Sequence, residues 1–236
     1  MTKNKSNRMQ FLFADRELIV MAADLLTAPV DVIVNPANAG LSHGGGVAGQ
    51  IVQQGGEQVQ EESDLFIKEH GVLESGMVAF TTAGKLPYQA VIHAVGPKMG
   101  EGGEQLKIQH AVSRSLQLCD MHGWKSVAFP AISTGLFSVP LEISAAAMFR
   151  AITSFWDARS EGSPEKIIIC LSQNKFQSFF DAFREESSHS EADNLLIKDA
   201  NSISHKESGE ATTGTVNLSE QDISDLDSEE LNSWFK

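Results

Sequence analysis

The sequence predicts an α/β fold: a three-layer α/β/α sandwich on a mixed, largely parallel sheet, followed by a disordered acidic tail. Three observations carry this. Apolar, β-rich runs alternate with helical stripes between residues 10 and 186. Beyond that point the composition turns to Ser, Glu, Asp, Asn and Thr, which cannot bury a core. The charge divides at the same place: Glu185 to Lys236 holds thirteen acidic and three basic residues, a net of −10 out of the chain's −13. The expected organisation is a flexible N-terminus over 1–9, one domain over 10–186 and a tail over 187–236.

"FLFADRELIVMA" reads as two short strands or a hairpin broken at Ala14-Asp15-Arg16. "DVIVNPA" does not alternate and reads as a strand covered on both faces. "VAGQIVQQGG" and "EESDLFIKEHG" read as helices closed by glycines. "GMVAFTTAG" and "AVIHAVG" follow as strands. "EQLKIQHAVSRSLQLCDMHG" carries a helical apolar stripe through Leu106, Ile108, Ala111, Val112, Leu116 and Cys119. "SVAFPA" is a strand, "LEISAAAMFRAITSFWDA" a helix entered at Pro140, "EKIIICL" a strand and "KFQSFFDAFREE" an amphipathic helix. In the tail, "DISDLDSEELNSWF" is a short amphipathic piece that could order against a protein partner.

Residues 1–184 are close to neutral, so no basic face is expected to meet nucleic acid. Cys119 and Cys170 each sit in an apolar run and read as buried thiols rather than a disulfide framework. His70, His93, His110 and His122 are scattered without ligand spacing, so neither a metal nor a cofactor is expected. "MTKNKSNRMQ" has no apolar segment behind it, and no run reaches the ~20 residues that span a bilayer. The expectation is an intracellular protein, cytoplasmic or nuclear, monomeric and without a membrane partner.

Two loops stand out. "VNPANAGLSHGGGVAGQI" follows an apolar strand, precedes a helix and contains no charged residue. Its glycines at 44, 46 and 49 fit GxGxxG, but nine residues separate Val34 from Gly44. The acids downstream fall in a helical stretch, so a nicotinamide fingerprint is a poor fit. The underlying physics still holds: glycines ahead of a helix let backbone N–H groups approach an anion. "PAISTGLFSVP" repeats the design after the strand "SVAF". Two base-free loops at the carboxyl ends of two strands can form the walls of a diphosphate cleft.

These residues resemble a known family. "VDVIVNPANAGLSHGGGVAGQI" and "AFPAISTGLFSVP" resemble the two signatures of macrodomains, the ADP-ribose-binding modules. "AADLL" resembles the segment whose acid meets adenine. "HGGGVAG" is similar to the coronavirus macrodomains, and "ESGMVAFTTAGKLPYQAVIHAVGP" to the first macrodomains of multi-macrodomain ADP-ribosyltransferases. The likeness covers residues 10–184.

By position, the resemblance implies that Asp24 accepts the adenine amine, with the Leu25 backbone N–H beside it. It implies that Asn38 binds the distal ribose and that Gly45, Gly46 and Val47 line the diphosphate. Ser133, Thr134, Gly135, Leu136 and Phe137 form the second wall, with Phe137 against the distal ribose. Taken alone, Asp24 reads equally as a helix N-cap, Asn38 as an Asx-turn and Phe137 as core. Ala48 replaces the Asp of one hydrolase branch and matches the viral branch, which hydrolyses without it. Near Ser172 and Gln173, where relatives place an aromatic on adenine, neither residue stacks; Phe176 is the aromatic that could substitute.

The implied activity is hydrolysis of mono-ADP-ribose from acidic side chains of modified proteins, with Asn38 and His43 as catalytic residues. His43 either titrates directly or shapes the loop. The alternative is a non-catalytic reader of the same mark. The implied partners are ADP-ribose and mono-ADP-ribosylated proteins.

Overall fold

Asp31 gathers the beginnings of three neighbouring strands. Its carboxylate accepts from the backbone N–H groups of Lys125 and Ser126, at 2.8 and 2.9 Å, and from the Gln89 side chain at 3.1 Å. Those residues open β3 (Val32–Ala37), β6 (Ser126–Pro130) and β5 (Ala90–Val95). One part-exposed carboxylate thus aligns the amino ends of the strands and leaves their carboxyl ends free for loops.

The computed structural model describes residues 8–159, 161–162, 164–189 and 195–199, all within one compact unit of residues 1–202. Its sheet runs β4-β5-β3-β6-β7-β2-β1-β8. The remaining strands are β1 (Arg8–Phe13), β2 (Arg16–Ala22), β4 (Val78–Thr81), β7 (Lys166–Leu171) and β8 (Leu195–Asp199). The inner pairs β2/β7, β7/β6, β6/β3 and β3/β5 are parallel, and the outer pairs are antiparallel, so the sheet is mixed as expected.

Helices α1 (Gly46–Gly55) and α2 (Gln58–His70) cover one face. Ile51 and Val59 pack there on the row Ile19, Ile168, Ala128, Ile33 and Val91. Helices α3 (Glu104–His122), α4 (Leu141–Asp157) and α5 (Gln173–His189) cover the other. Phe176, Phe179, Phe180 and Phe183 recur at the helical period on α5 and are buried. Phe183 meets Phe11 of β1 at 5.3 Å and Phe149 of α4 at 5.0 Å. Each such aromatic burial contributes about 1.5–3 kcal/mol.

Two boundaries differ from the sequence reading. Arg8 and Met9, expected in a flexible N-terminus, already belong to β1, because Met9 faces inward with Phe11 and Phe13. The expected domain end at residue 186 falls inside α5, which runs on to His189. Residues 195–199, assigned to the tail, form β8 against β1. This strand gives the outer backbone groups of β1 hydrogen-bonding partners. The rest of the expected tail, including "DISDLDSEELNSWF", lies outside the described residues. Among the described residues no helix is long and apolar enough to cross a membrane.

Candidate functional site

Because β3, β6 and β7 are parallel, the loops that leave their carboxyl ends meet on one side of the sheet. A cavity of about 510 Å³ lies there. Its lining takes in residues 36–38 at the end of β3, residues 44–48 beyond it, residues 133–137 after β6, and residues 170–172 at the end of β7. Of the residues singled out from the sequence, Asn38, Gly45, Gly46, Val47 and Ser133 through Phe137 line it. Asp24, Leu25 and His43 do not.

The first wall is the glycine loop. Gly46 opens α1 at φ +58°, a conformation that only glycine adopts without strain. Asn38 organises the residues ahead of it. Its Oδ1 accepts from the N–H groups of Gly40 and Ser42, and its Nδ2 donates to the Ser42 carbonyl at 2.8 Å. Asn38 is therefore both an Asx-turn residue and a lining residue.

The second wall is strained. Ser133, buried and lining the cavity, sits at φ +64°. Its Oγ has no hydrogen-bond partner among the described residues. It presses against Gly96 at the end of β5, where a Cβ would lie 2.1 Å from that oxygen. Leu136 is 95% exposed at the mouth. Half-buried Phe137 lies under the Lys98 ammonium, 5.8 Å from the ring centre.

His43 turns away from the cavity. Gln60 Oε1 accepts from its backbone N–H and from its Nδ1–H, so in the neutral ring Nε2 carries no proton. That Nε2 is buried without a partner among the described residues. Its ring stands edge-on to His93 at 5.1 Å. Burial lowers the pKa of His43, against opposing contributions from Gln60 and Asp64. Fully buried His93 falls to about 3, by burial first and by the neighbouring His43 second. The Thr81 hydroxyl donates to the Thr82 carbonyl, so it accepts from His93 Nε2–H; Asn35 Nδ2 then donates to the bare Nδ1. Both imidazoles are neutral and structural in this arrangement.

Asp24 flanks the far end of the cavity. The preceding Ala23 N–H bonds the carbonyl of Leu171, a lining residue. Asp24 Oδ1 caps the 3-10 turn Leu25–Thr27 by accepting from Leu26 N–H at 3.0 Å. Leu25 itself is in the core. Phe176 does not replace the missing aromatic, since it is buried and stacked on Phe180. Cys119 and Cys170 are both buried free thiols; Cys170 lines the cavity, its pKa pushed up to about 12 by burial and by Asp24.

The sequence reading missed one charged wall residue. Lys175 of α5 lines the cavity and donates to the Thr134 carbonyl at 2.7 Å. It lies 41 residues from Thr134, in a helix whose pattern announces only packing.

Residues 34–148 match the family model described as Macro domain. The O-acetyl-ADP-ribose deacetylase of Enterobacter sp. is 36% identical over 166 residues, which cover 69% of this chain and 91% of the relative. The chain belongs to the macrodomain family. The human protein mono-ADP-ribosyltransferase PARP14 matches this macrodomain at 35% identity over 71% of the chain, which is 10% of PARP14. A solved Oceanobacillus iheyensis macrodomain with ADP is 25% identical, with a TM-score of 0.70 over 77% of this chain and 95% of that one.

Proposed function

We propose that this macrodomain binds ADP-ribose in the cavity and hydrolyses mono-ADP-ribose from acidic side chains of modified proteins. The carrying observation is the pair of facing loop walls at the carboxyl ends of β3 and β6, around a volume within the usual range for small-ligand sites. The N–H groups that begin α1 and those of Ser133–Phe137 receive the diphosphate. Asp24 has its Oδ2 left for the adenine amine, beside the Leu25 backbone. Phe137 packs on the distal ribose.

Asn38 orients that ribose, and its grip on Ser42 links the orientation to the loop. A water held between the diphosphate and the anomeric carbon attacks that carbon. The new C–O bond forms from the water, the bond to the protein's carboxylate oxygen breaks with its electron pair, and the proton leaves through the ligand phosphate to solvent. The protein supplies geometry, which alone lowers such barriers by several kcal/mol. We assign His43 as a positioning residue that acts through Gln60. The relatives named as O-acetyl-ADP-ribose deacetylases support ester cleavage on this scaffold.

One observation favours a second reading, a reader that binds the mark and leaves it intact. The described residues lining the cavity include no carboxylate and no imidazole to move a proton. The deciding experiment is a time course with protein mono-ADP-ribosylated on Glu and Asp, alongside O-acetyl-ADP-ribose. Release of ADP-ribose that is lost in Asn38→Ala establishes the hydrolase. Tight binding with an unchanged modified substrate after hours establishes the reader.

A further inference from the structure

Lys175 is the one charged residue among the described residues that line the cavity, and the reading above does not use it. It lies at the start of α5, where its backbone N–H bonds the Ser172 carbonyl at 3.0 Å. Side chains in a first helical turn lean back toward the N-terminus, and here that direction leads into the cavity. The ammonium donates to the Thr134 carbonyl at 2.7 Å and to Thr134 Oγ1 at 3.3 Å. An ammonium has three donors, so one N–H remains.

Two consequences follow from the chemistry. In a trans peptide the carbonyl and the following N–H point to opposite sides. Drawing the Thr134 oxygen toward Lys175 therefore turns the Gly135 N–H away from the ammonium. Gly135 has no side chain to hold that peptide plane otherwise. The cation also bears on the ligand: charge-assisted bonds to phosphate are about twice as strong as neutral ones, and both loops lack any other base.

We propose that Lys175 is the cation of the cleft, fixing the Thr134–Gly135 peptide and giving its remaining N–H to the diphosphate of a bound nucleotide. This rests on the ADP-ribose reading of the cavity but extends to any nucleoside diphosphate. Because both loops are base-free, any loss of diphosphate affinity with salt has to come through this side chain.

The test is calorimetry of wild type, Lys175→Met and Lys175→Arg with ADP-ribose, ADP and adenosine, at low and at high salt, with melting curves for each variant. Lys175→Met should melt with wild type and lose roughly tenfold in affinity for ADP-ribose and ADP, as expected for one charge-assisted bond. Adenosine should be unaffected. Wild-type affinity should fall with salt, the Met variant's should fall less, and Arg should restore most of the loss. Equal loss for adenosine and ADP, or no loss for either, overturns the proposal. Wild type that holds ADP through Lys175 yet ignores ADP-ribose supports the proposal and refutes the reading of the site. Wild type that binds none of the three refutes both.

Discussion

Gln60 Oε1 accepts two hydrogen bonds from one residue, the backbone N–H of His43 at 3.0 Å and its Nδ1–H at 2.7 Å. The Gln60 amide nitrogen holds the Leu41 carbonyl and Asp64. One α2 side chain therefore pins the chain on the approach to the glycines. Gln60→Leu keeps the size and removes the one acceptor of both bonds together with the amide donor. It should lower unfolding free energy by about 1–2 kcal/mol, the cost of leaving part-buried donors poorly paired, and weaken ADP-ribose. Paired denaturant titration and calorimetry check it; unchanged affinity would show that the loop holds itself.

The two imidazoles make stability depend on pH. His43 and His93 have folded pKa values below the unfolded value of about 6.5, His93 at about 3. The unfolded chain thus binds more protons below that point, so stability rises with pH. The contribution is complete above pH ~6.5 and drains away between there and about 3, at up to ~1.4 kcal/mol per pH unit for His93. Denaturant midpoints in this window should fall steeply for wild type and less for His93→Gln. Parallel slopes for the two proteins would contradict the assignment.

Gly96→Ala should damage the site while leaving much of the sheet intact. The added Cβ would meet Ser133 Oγ at 2.1 Å and Ile132 Cγ2 at 2.8 Å. The strained second wall has to move. ADP-ribose affinity should drop at least about tenfold, with overpacking costing about 1–3 kcal/mol of stability. Adding Ser133→Gly, which removes the nearest atom and suits the positive φ, should recover part of both. If it recovers neither, Ile132 carries the clash.

Asp24 can be separated from its capping role by Asp24→Asn, since Asn caps as well. The amide cannot supply the charged acceptor for an adenine amine, so affinity should fall about 10-fold with melting unchanged. The inosine analogue, which lacks that amine, should bind wild type and variant alike. A variant that loses both ligands equally would place adenine elsewhere.

Much of the fold was legible because its signals are local. The apolar runs of β3, β5, β6 and β7, the helix stops at Gly71 and Gly123 and the Phe stripe of α5 all stand in the chain as printed. Both walls of the cleft were legible too, as glycine and serine loops following strands. The departures concern what tertiary packing decides. Leu195–Asp199 reads as part of a polar tail until an unpaired β1 edge offers it partners. Lys175 becomes a wall residue only when α5 returns against the loop after β6. The sequence leaves His43 between titrating at the ligand and shaping the loop, because nothing in its neighbourhood announces Gln60, 17 residues on.

Much of both walls is glycine, serine and threonine, so apart from Lys175 the groups that would meet a phosphate are main-chain amides. A side-chain replacement leaves every such amide in place. Systematic alanine substitution at residues 47 and 133–137 would therefore under-report the site, because it deletes none of the main-chain donors. Substitutions that add volume, or that exchange an amide for an ester, would expose it. Apart from Gly46, whose positive φ calls for glycine, the same property frees these positions to drift in identity wherever size is kept, so the cleft can outlast much of the sequence around it.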